Sequence, residues 1–161
     1  MTEKIKLDDL MFENITIFDE SHREVSFNMR EELAINSFDL TEEYRSQPAK
    51  YMYWTALHSK VGRMVESKNI EIDRMHAVLY NTVREDLIKA GTPKPTQAQL
   101  EASIDNNQHI VRLREELANL NALESKTKYI VKAFEQRKDM LMQLGADNRK
   151  QKDYEQAIRN F

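Results

Sequence analysis

The 161-residue chain contains no cysteine and has only three glycines and three prolines. Without cysteine there are no disulfides and no thiolate metal ligands, a composition that fits a reducing compartment. Three glycines are too few for a phosphate-cradling loop, and the GxxxxGK[ST], GxGxxG, HExxH and GxSxG motifs are all missing. We therefore expect a protein that is not an enzyme and that has no cofactor and no metal site.

Long apolar runs are also missing, so the sequence predicts no membrane span and no membrane partner. The first ten residues, MTEKIKLDDL, are too acidic and polar for a secretory signal. Both features favour a cytoplasmic protein.

The residues that are abundant favour α-helix, and helix signals divide the chain. Pro48 after Ser46 is typical of a helix start, Thr96 with Gln99 has the spacing of a capping box, and Gly145 fits a helix stop. With Gly91 as a second stop, these signals predict three helices: a long one over about 48–90, a short one over about 97–104, and a long one over about 107–144.

Three segments follow from this assignment. Residues 1–46 are expected to form an acidic segment of short helices, although NITIF (14–18) could be a short strand. Residues 47–145 form the helical hairpin core. Residues 146–161 form a basic C-terminal tail with room for one more short helix.

Apolar residues recur every three or four positions along both long helices. The residues expected to carry the core or the subunit interface are Trp54, Val61, Ile72, Leu117, Leu120, Phe134 and Leu141. A two-helix hairpin covers one side of each stripe, and a large exposed apolar stripe usually marks association. The predicted fold is therefore all-α: a long antiparallel hairpin with short N-terminal helices that packs laterally into a homo-oligomer, with a ring as the expected form. Alternatively, the first 46 residues fold back and complete a monomeric bundle.

Charge is distributed unevenly. Residues 1–46 carry 5 basic and 12 acidic side chains, net −7, whereas residues 126–152 carry 8 basic and 3 acidic, net +5. A helix C-terminus needs only one or two cations. The excess favours an anionic partner, and several copies in a ring would array it along a strand of nucleic acid. Attraction between the acidic and basic regions is the alternative.

The residues expected to contact phosphate lie mainly on the second long helix and beyond its end. They are Lys128, Lys132, Arg137, Lys138, Arg149 and Lys150. A secondary set lies on the first long helix and consists of Lys60, Arg63 and Arg74.

Over about residues 38–150 the chain resembles the UvsY-type phage recombination mediators. The segments that carry the resemblance are QPAKYMYWTALHSKVGRMVE (47–66), AVLYNTVRED (77–86) and KAFEQRKDMLMQLGADNRK (132–150). The family carries basic residues for DNA binding late in the first long helix. Here His76 and Val78 lie between Arg74 and Arg84, which shifts the expectation toward the second helix.

The resemblance implies a non-enzymatic, ring-forming accessory protein in the host cytoplasm. Such proteins bind single-stranded DNA, displace or remodel a single-strand-binding protein, and help a recombinase form its filament. The runner-up interpretation is a helical structural or adaptor protein of phage assembly or host takeover. It would use the same apolar stripes without DNA.

Overall fold

The computed structural model describes residues 14–18 and 24–159. Its elements are β1 (Asn14–Phe18), β2 (Glu24–Asn28), α1 (Met29–Leu33), α2 (Leu40–Lys89), α3 (Gln97–Asp105) and α4 (Gln108–Arg159). They form two compact units: a terminal unit, up to Thr55 and from Tyr129 onward, and a central unit, Ala56–Lys128. In each unit a stretch of α2 packs antiparallel against a stretch of α4. Nowhere in the described part of the chain does a helix have a stretch long and apolar enough to cross a bilayer.

The first long helix begins at Leu40, eight residues before the predicted start at Pro48. Asp39 caps it, because its Oδ1 accepts a hydrogen bond of 3.1 Å from the backbone N–H of Glu42. Pro48 therefore lies inside the helix, where it removes one backbone hydrogen bond. The added turns bring Glu43 against α4 in the terminal unit, and the contacts made there offset that loss.

A glycine ends α2 close to the predicted position. Gly91 has φ +96°, a left-handed conformation that glycine adopts without strain. Its N–H donates to the carbonyl of Ile88 at 3.2 Å, and the N–H of Thr92 donates to the carbonyl of Leu87 at 2.9 Å. This is the Schellman pattern, which uses two otherwise free carbonyls of the last turn. The capping box of Thr96 with α3 is also present.

The second long helix does not stop at Gly145 but continues to Arg159, so residues 146–159 are helical rather than a separate tail. Gly145 serves a close approach instead. The Tyr44 hydroxyl donates to the carbonyl of Leu141 at 2.5 Å, and a Cβ added at Gly145 would overlap that hydroxyl and lie 3.2 Å from Cζ. The glycine therefore makes room for a side chain of α2.

We expect Gly145→Ala to destabilise the protein by about 1–3 kcal/mol through this overlap. Alanine inside a helix ordinarily stabilises by roughly 0.5–1 kcal/mol, so the sign is opposite to the usual one. Urea unfolding followed by circular dichroism measures the effect, and adding Tyr44→Phe should recover part of the loss.

Gly62→Ala is the matched control. A Cβ at Gly62 would meet only the flexible end of Glu124, at 3.3 Å from Oε1. Alanine should be neutral or stabilising there. A Gly145→Ala variant as stable as the parent protein would contradict the close approach.

The N-terminal segment contains a β-hairpin, which corrects the prediction of short helices alone. β1 and β2 pair antiparallel, with Ile15 opposite Phe27 and Thr16 opposite Ser26, whose hydroxyls are 2.9 Å apart. The three consecutive β-branched residues of NITIF favour a strand, and Ile15 is buried. The part of that prediction that concerns residues 1–13 and 19–23 lies outside the described residues.

Each unit has its own core. In the terminal unit the Trp54 ring stacks on Phe134, with centroids 6.4 Å apart, and Phe27 meets Trp54 edge to face at 5.3 Å. The buried apolar residues of the central unit are Val61, Leu100, Ile104, Ile110, Leu113 and Leu123. The two long helices are thus held by different sets of side chains in the two units.

Candidate nucleic-acid surface

The structure places the predicted basic residues in three settings. Lys60 is half-buried and Arg137 is buried. The exposed ones are Arg63, Arg74, Lys128, Lys132, Lys138, Arg149 and Lys150. Of these, Arg63, Arg74 and Lys128 belong to the central unit, and the others to the terminal unit.

Arg137 lies in the interior of the terminal unit, only 3% exposed. Its Nε donates to the carbonyl of Leu33 at 3.2 Å, and its Nη2 donates to the carbonyl of Ala34 at 2.9 Å. Its Nη1 donates to Gln47 at 2.5 Å, and Nη2 forms an ion pair with Glu43. Four hydrogen bonds thus occupy a guanidinium that has five N–H donors. Arg137 is therefore not available to phosphate, which corrects the prediction.

The carboxylate of Glu43 is matched to this arginine. Burial by itself would raise the pKa of Glu43, but a hydrogen bond from the Asn36 N–H and the Arg137 guanidinium together hold that pKa below its usual value. Glu43 is therefore ionised at neutral pH, and Arg137 and Glu43 neutralise each other inside the protein. Burial of Arg137 follows from the earlier start of α2, which supplies both of its side-chain partners.

Outside this buried pair, the four predicted cations that are exposed in the terminal unit lie in two rows along α4. Lys132 and Lys150 are 18 residues apart, or five helical turns, so they share one face about 27 Å apart. Lys138 and Arg149 form a second row, 11 residues or about 17 Å apart. Lys138 already pairs with Asp139, at 3.4 Å. The least compensated charge is therefore near the end of α4.

Three cations, Arg149, Lys150 and Lys152, follow closely on one another in that last part of α4. None of them makes an ion pair with another described residue. Tyr154, 69% exposed, lies four residues, or about one turn, beyond Lys150 on the same helix face. An exposed aromatic ring beside cations is the combination that binds a flexible strand, because bases stack while phosphates pair.

A second exposed aromatic ring lies near the start of the terminal unit's part of α4. Tyr129 is exposed, and the Lys132 Nζ lies 6.0 Å from the centre of its ring. Tyr129 and Tyr154 did not emerge from sequence reasoning. The sequence signal that could have identified them is a tyrosine outside the apolar stripe that lies three or four residues from a lysine, and therefore on the same helix face. Two more tyrosines lie near the start of the segment 47–66. Tyr53 is exposed, whereas Tyr51 is half-buried and its hydroxyl donates to Glu135 at 3.0 Å.

The central unit holds one strongly paired lysine that sequence reasoning did not select. Lys68 Nζ lies 2.8 Å from Glu116 and 2.7 Å from Glu71. Hydrogen bonds to these two carboxylates raise the pKa of Lys68, despite its partial burial. Its charge is used to join α2 to α4 within the unit. Lys126 is also part-buried, and burial lowers its pKa.

The residues expected to carry the core or the subunit interface divide by burial. Trp54, Val61, Phe134 and Leu141 are buried in the cores of their units. Ile72, Leu117 and Leu120 are only half-buried, which leaves part of each side chain able to meet another surface.

The likeness of this chain to known proteins concerns the fold alone. No protein-family model matches the chain, and no curated protein matches it. Among solved structures, the chain is similar to the crystal structure of the bacteriophage T4 recombination mediator protein UvsY. The two are 13% identical with a TM-score of 0.57, and the match covers 76% of this chain and 92% of the other. The prediction of an all-α fold built on a pair of long packed helices is confirmed, and the chain shares the helical fold of UvsY.

Proposed function

We propose that this protein is a non-enzymatic recombination mediator. It assembles into a homo-oligomer, binds single-stranded DNA, and helps to load a recombinase against a single-strand-binding protein. The observation that carries the proposal is the fold shared with the T4 recombination mediator over most of both chains. Its setting would be the cytoplasm of a phage-infected host cell.

The DNA surface of this proposal lies on the exposed part of α4. Lys132, Arg149, Lys150 and Lys152 supply the phosphate contacts, with Tyr129 and Tyr154 available for stacking. A few cations per subunit hold a strand weakly. Several copies along one strand add their contacts, so affinity depends on assembly. Lys128, Lys138, Lys60, Arg63 and Arg74 remain secondary contacts.

Assembly is supported by large apolar side chains that α4 leaves exposed. Apart from the two tyrosines, they are Val111, Met140, Met142 and Ile158. An exposed set of this kind favours lateral contact with another copy. Phe38, 99% exposed just before α2, is a further apolar anchor. These residues would equally serve a helical adaptor that acts without DNA, which is the alternative function.

Binding to a fluorescent oligothymidine, followed by anisotropy, tests the proposal. We expect the four substitutions Lys132→Gln, Arg149→Gln, Lys150→Gln and Lys152→Gln together to weaken binding at least about 100-fold at low salt, because each removes a phosphate contact. The dependence of the affinity on salt concentration should decrease as well. The mass measured by light scattering should stay the same.

A control variant changes the net charge equally elsewhere. It carries Arg84→Gln, Lys89→Gln, Lys94→Gln and Arg112→Gln, all at exposed positions of the central unit. It should bind DNA within about threefold of the parent protein. An equal loss of DNA affinity in both variants would contradict the proposed surface. An oligomer that ignores the strand at every salt concentration would favour the adaptor.

A further inference from the structure

A shallow groove of about 470 Å³ runs along α2 in the central unit. It is lined by Ser67, Ile70, Glu71, Arg74, Met75 and Val78. These positions are alternately three and one apart, so they form a single face of one helix. Within the described residues, no other element contributes to the lining.

The face combines apolar exposure with charge. Ile70 is 46% exposed and Val78 is 67% exposed. Arg74 is exposed and forms no ion pair with the rest of the described chain. Glu71 uses Oε2 for Lys68, which leaves Oε1 able to accept from another donor. Apolar side chains flanked by opposite charges are typical of a helix-pairing surface.

We propose that this face binds the same face of a second copy of the chain, with the two helices antiparallel and a two-fold axis between positions 72 and 73. Such an axis places two residues opposite each other when their residue numbers add up to 145. It pairs Ile70 with Met75, Ser67 with Val78, and Glu71 with Arg74. The six lining residues pair entirely among themselves, as a two-fold interface requires.

The charges decide the direction of the pairing. In the antiparallel arrangement every Glu71 meets an Arg74, twice in each pair of copies. A parallel arrangement would place Glu71 against Glu71 and Arg74 against Arg74, and like charges across an interface are unfavourable. The face therefore specifies antiparallel self-association.

The complementarity continues beyond the groove. Two turns before Ser67 the same helix face carries Lys60, and its counterpart across the two-fold axis is Glu85. Arg63 meets Thr82, and no like-charged pair occurs on this face between Lys60 and Glu85. Lys60 and Glu85 thus add an opposite-charge pair at each end of a face about seven helical turns long.

This contact differs from the lateral packing of the proposed function. A two-fold contact closes after two copies, whereas lateral contacts of unlike surfaces form rings. The two can coexist, with the two-fold contact joining two lateral assemblies. It uses Lys60, Arg63 and Arg74 for contact between copies, so in paired subunits these three would not be secondary phosphate contacts. The pairing needs no DNA, so a failure of the DNA proposal leaves it standing.

Charge exchange on the full-length chain tests the pairing, with mass followed by light scattering and sedimentation over a concentration series. We expect Arg74→Glu and Glu71→Arg, each alone, to raise the dissociation constant of the pairing about tenfold or more. The double exchange restores both ion pairs and should return the constant to within about threefold of the parent. Arg84→Glu, an exposed reversal outside the groove, should change nothing.

Cross-linking provides a second measurement that does not depend on these charges. Because the chain has no cysteine, Ile70→Cys with Met75→Cys can form disulfides only through the introduced residues. Under mild oxidation this variant should become a covalent dimer, and Arg84→Cys should not. Single reversals without effect, a double exchange no better than the singles, or no Ile70→Cys/Met75→Cys dimer would each overturn the antiparallel pairing.

Discussion

Replacing Arg137 with methionine is expected to lower the free energy of unfolding by about 3–5 kcal/mol, as when one partner of a buried ion pair is removed. Methionine keeps most of the length of the side chain but none of the donors. The Glu43 carboxylate would lose its charge partner, and the carbonyls of Leu33 and Ala34 would lose their donors. Urea unfolding followed by the fluorescence of Trp54, the single tryptophan, reports on the terminal unit.

The neighbouring exposed lysine is the matched control for this prediction. Lys138→Met removes a charge from the same helix surface and should change stability by no more than about 0.5 kcal/mol. Adding Glu43→Gln to Arg137→Met should recover part of the loss, because no charge is then left without a partner. An Arg137→Met protein that is fully stable but no longer binds DNA would restore the original view of Arg137 as a phosphate contact.

Phe134→Ala is expected to cost about 3–5 kcal/mol, as for other large buried aromatic residues. Phe134 is fully buried and stacks on Trp54, so truncation opens a cavity against the indole ring. Equilibrium unfolding in urea measures the loss. The native emission of Trp54 should also shift to longer wavelength as water enters the cavity.

Met52→Ala serves as the control for Phe134→Ala. Met52 lies on α2 in the same unit and is 62% exposed, so its truncation should change stability by about 0.5 kcal/mol or less. A Phe134→Ala protein with unchanged emission and near-parental stability would mean that the stacked pair does not hold α2 to α4 in the terminal unit.

Local signals in the sequence predicted much of the helical fold. The Thr96 capping box and the left-handed Gly91 depend on groups within a few residues, so sequence spacing is enough to find them. The signals at Pro48 and Gly145 were local as well, yet both residues lie inside helices. The helices continue through both residues because contacts between residues about a hundred positions apart, such as Tyr44 with Leu141, stabilise them. No local pattern reveals such contacts.

The candidate surface shows the same division. Composition identified the basic region around α4, and helical spacing identifies which cations share a face. Composition could not separate Arg137 from Lys138, because adjacent cations look alike in a sequence. Arg137 is buried and makes four hydrogen bonds, whereas Lys138 is exposed, and the difference depends on where α2 begins.

By itself, then, the sequence determined the helical class, the paired long helices and the excess of charge near the C-terminus, because propensity, periodicity and charge are properties of neighbouring residues. The tertiary structure alone decided which arginine is neutralised inside, why Gly145 interrupts neither helix nor packing, and which residues of α2 stay exposed in the central unit. Those outcomes depend on distant side chains meeting at one place, where burial makes a hydrogen bond or an overlap decisive.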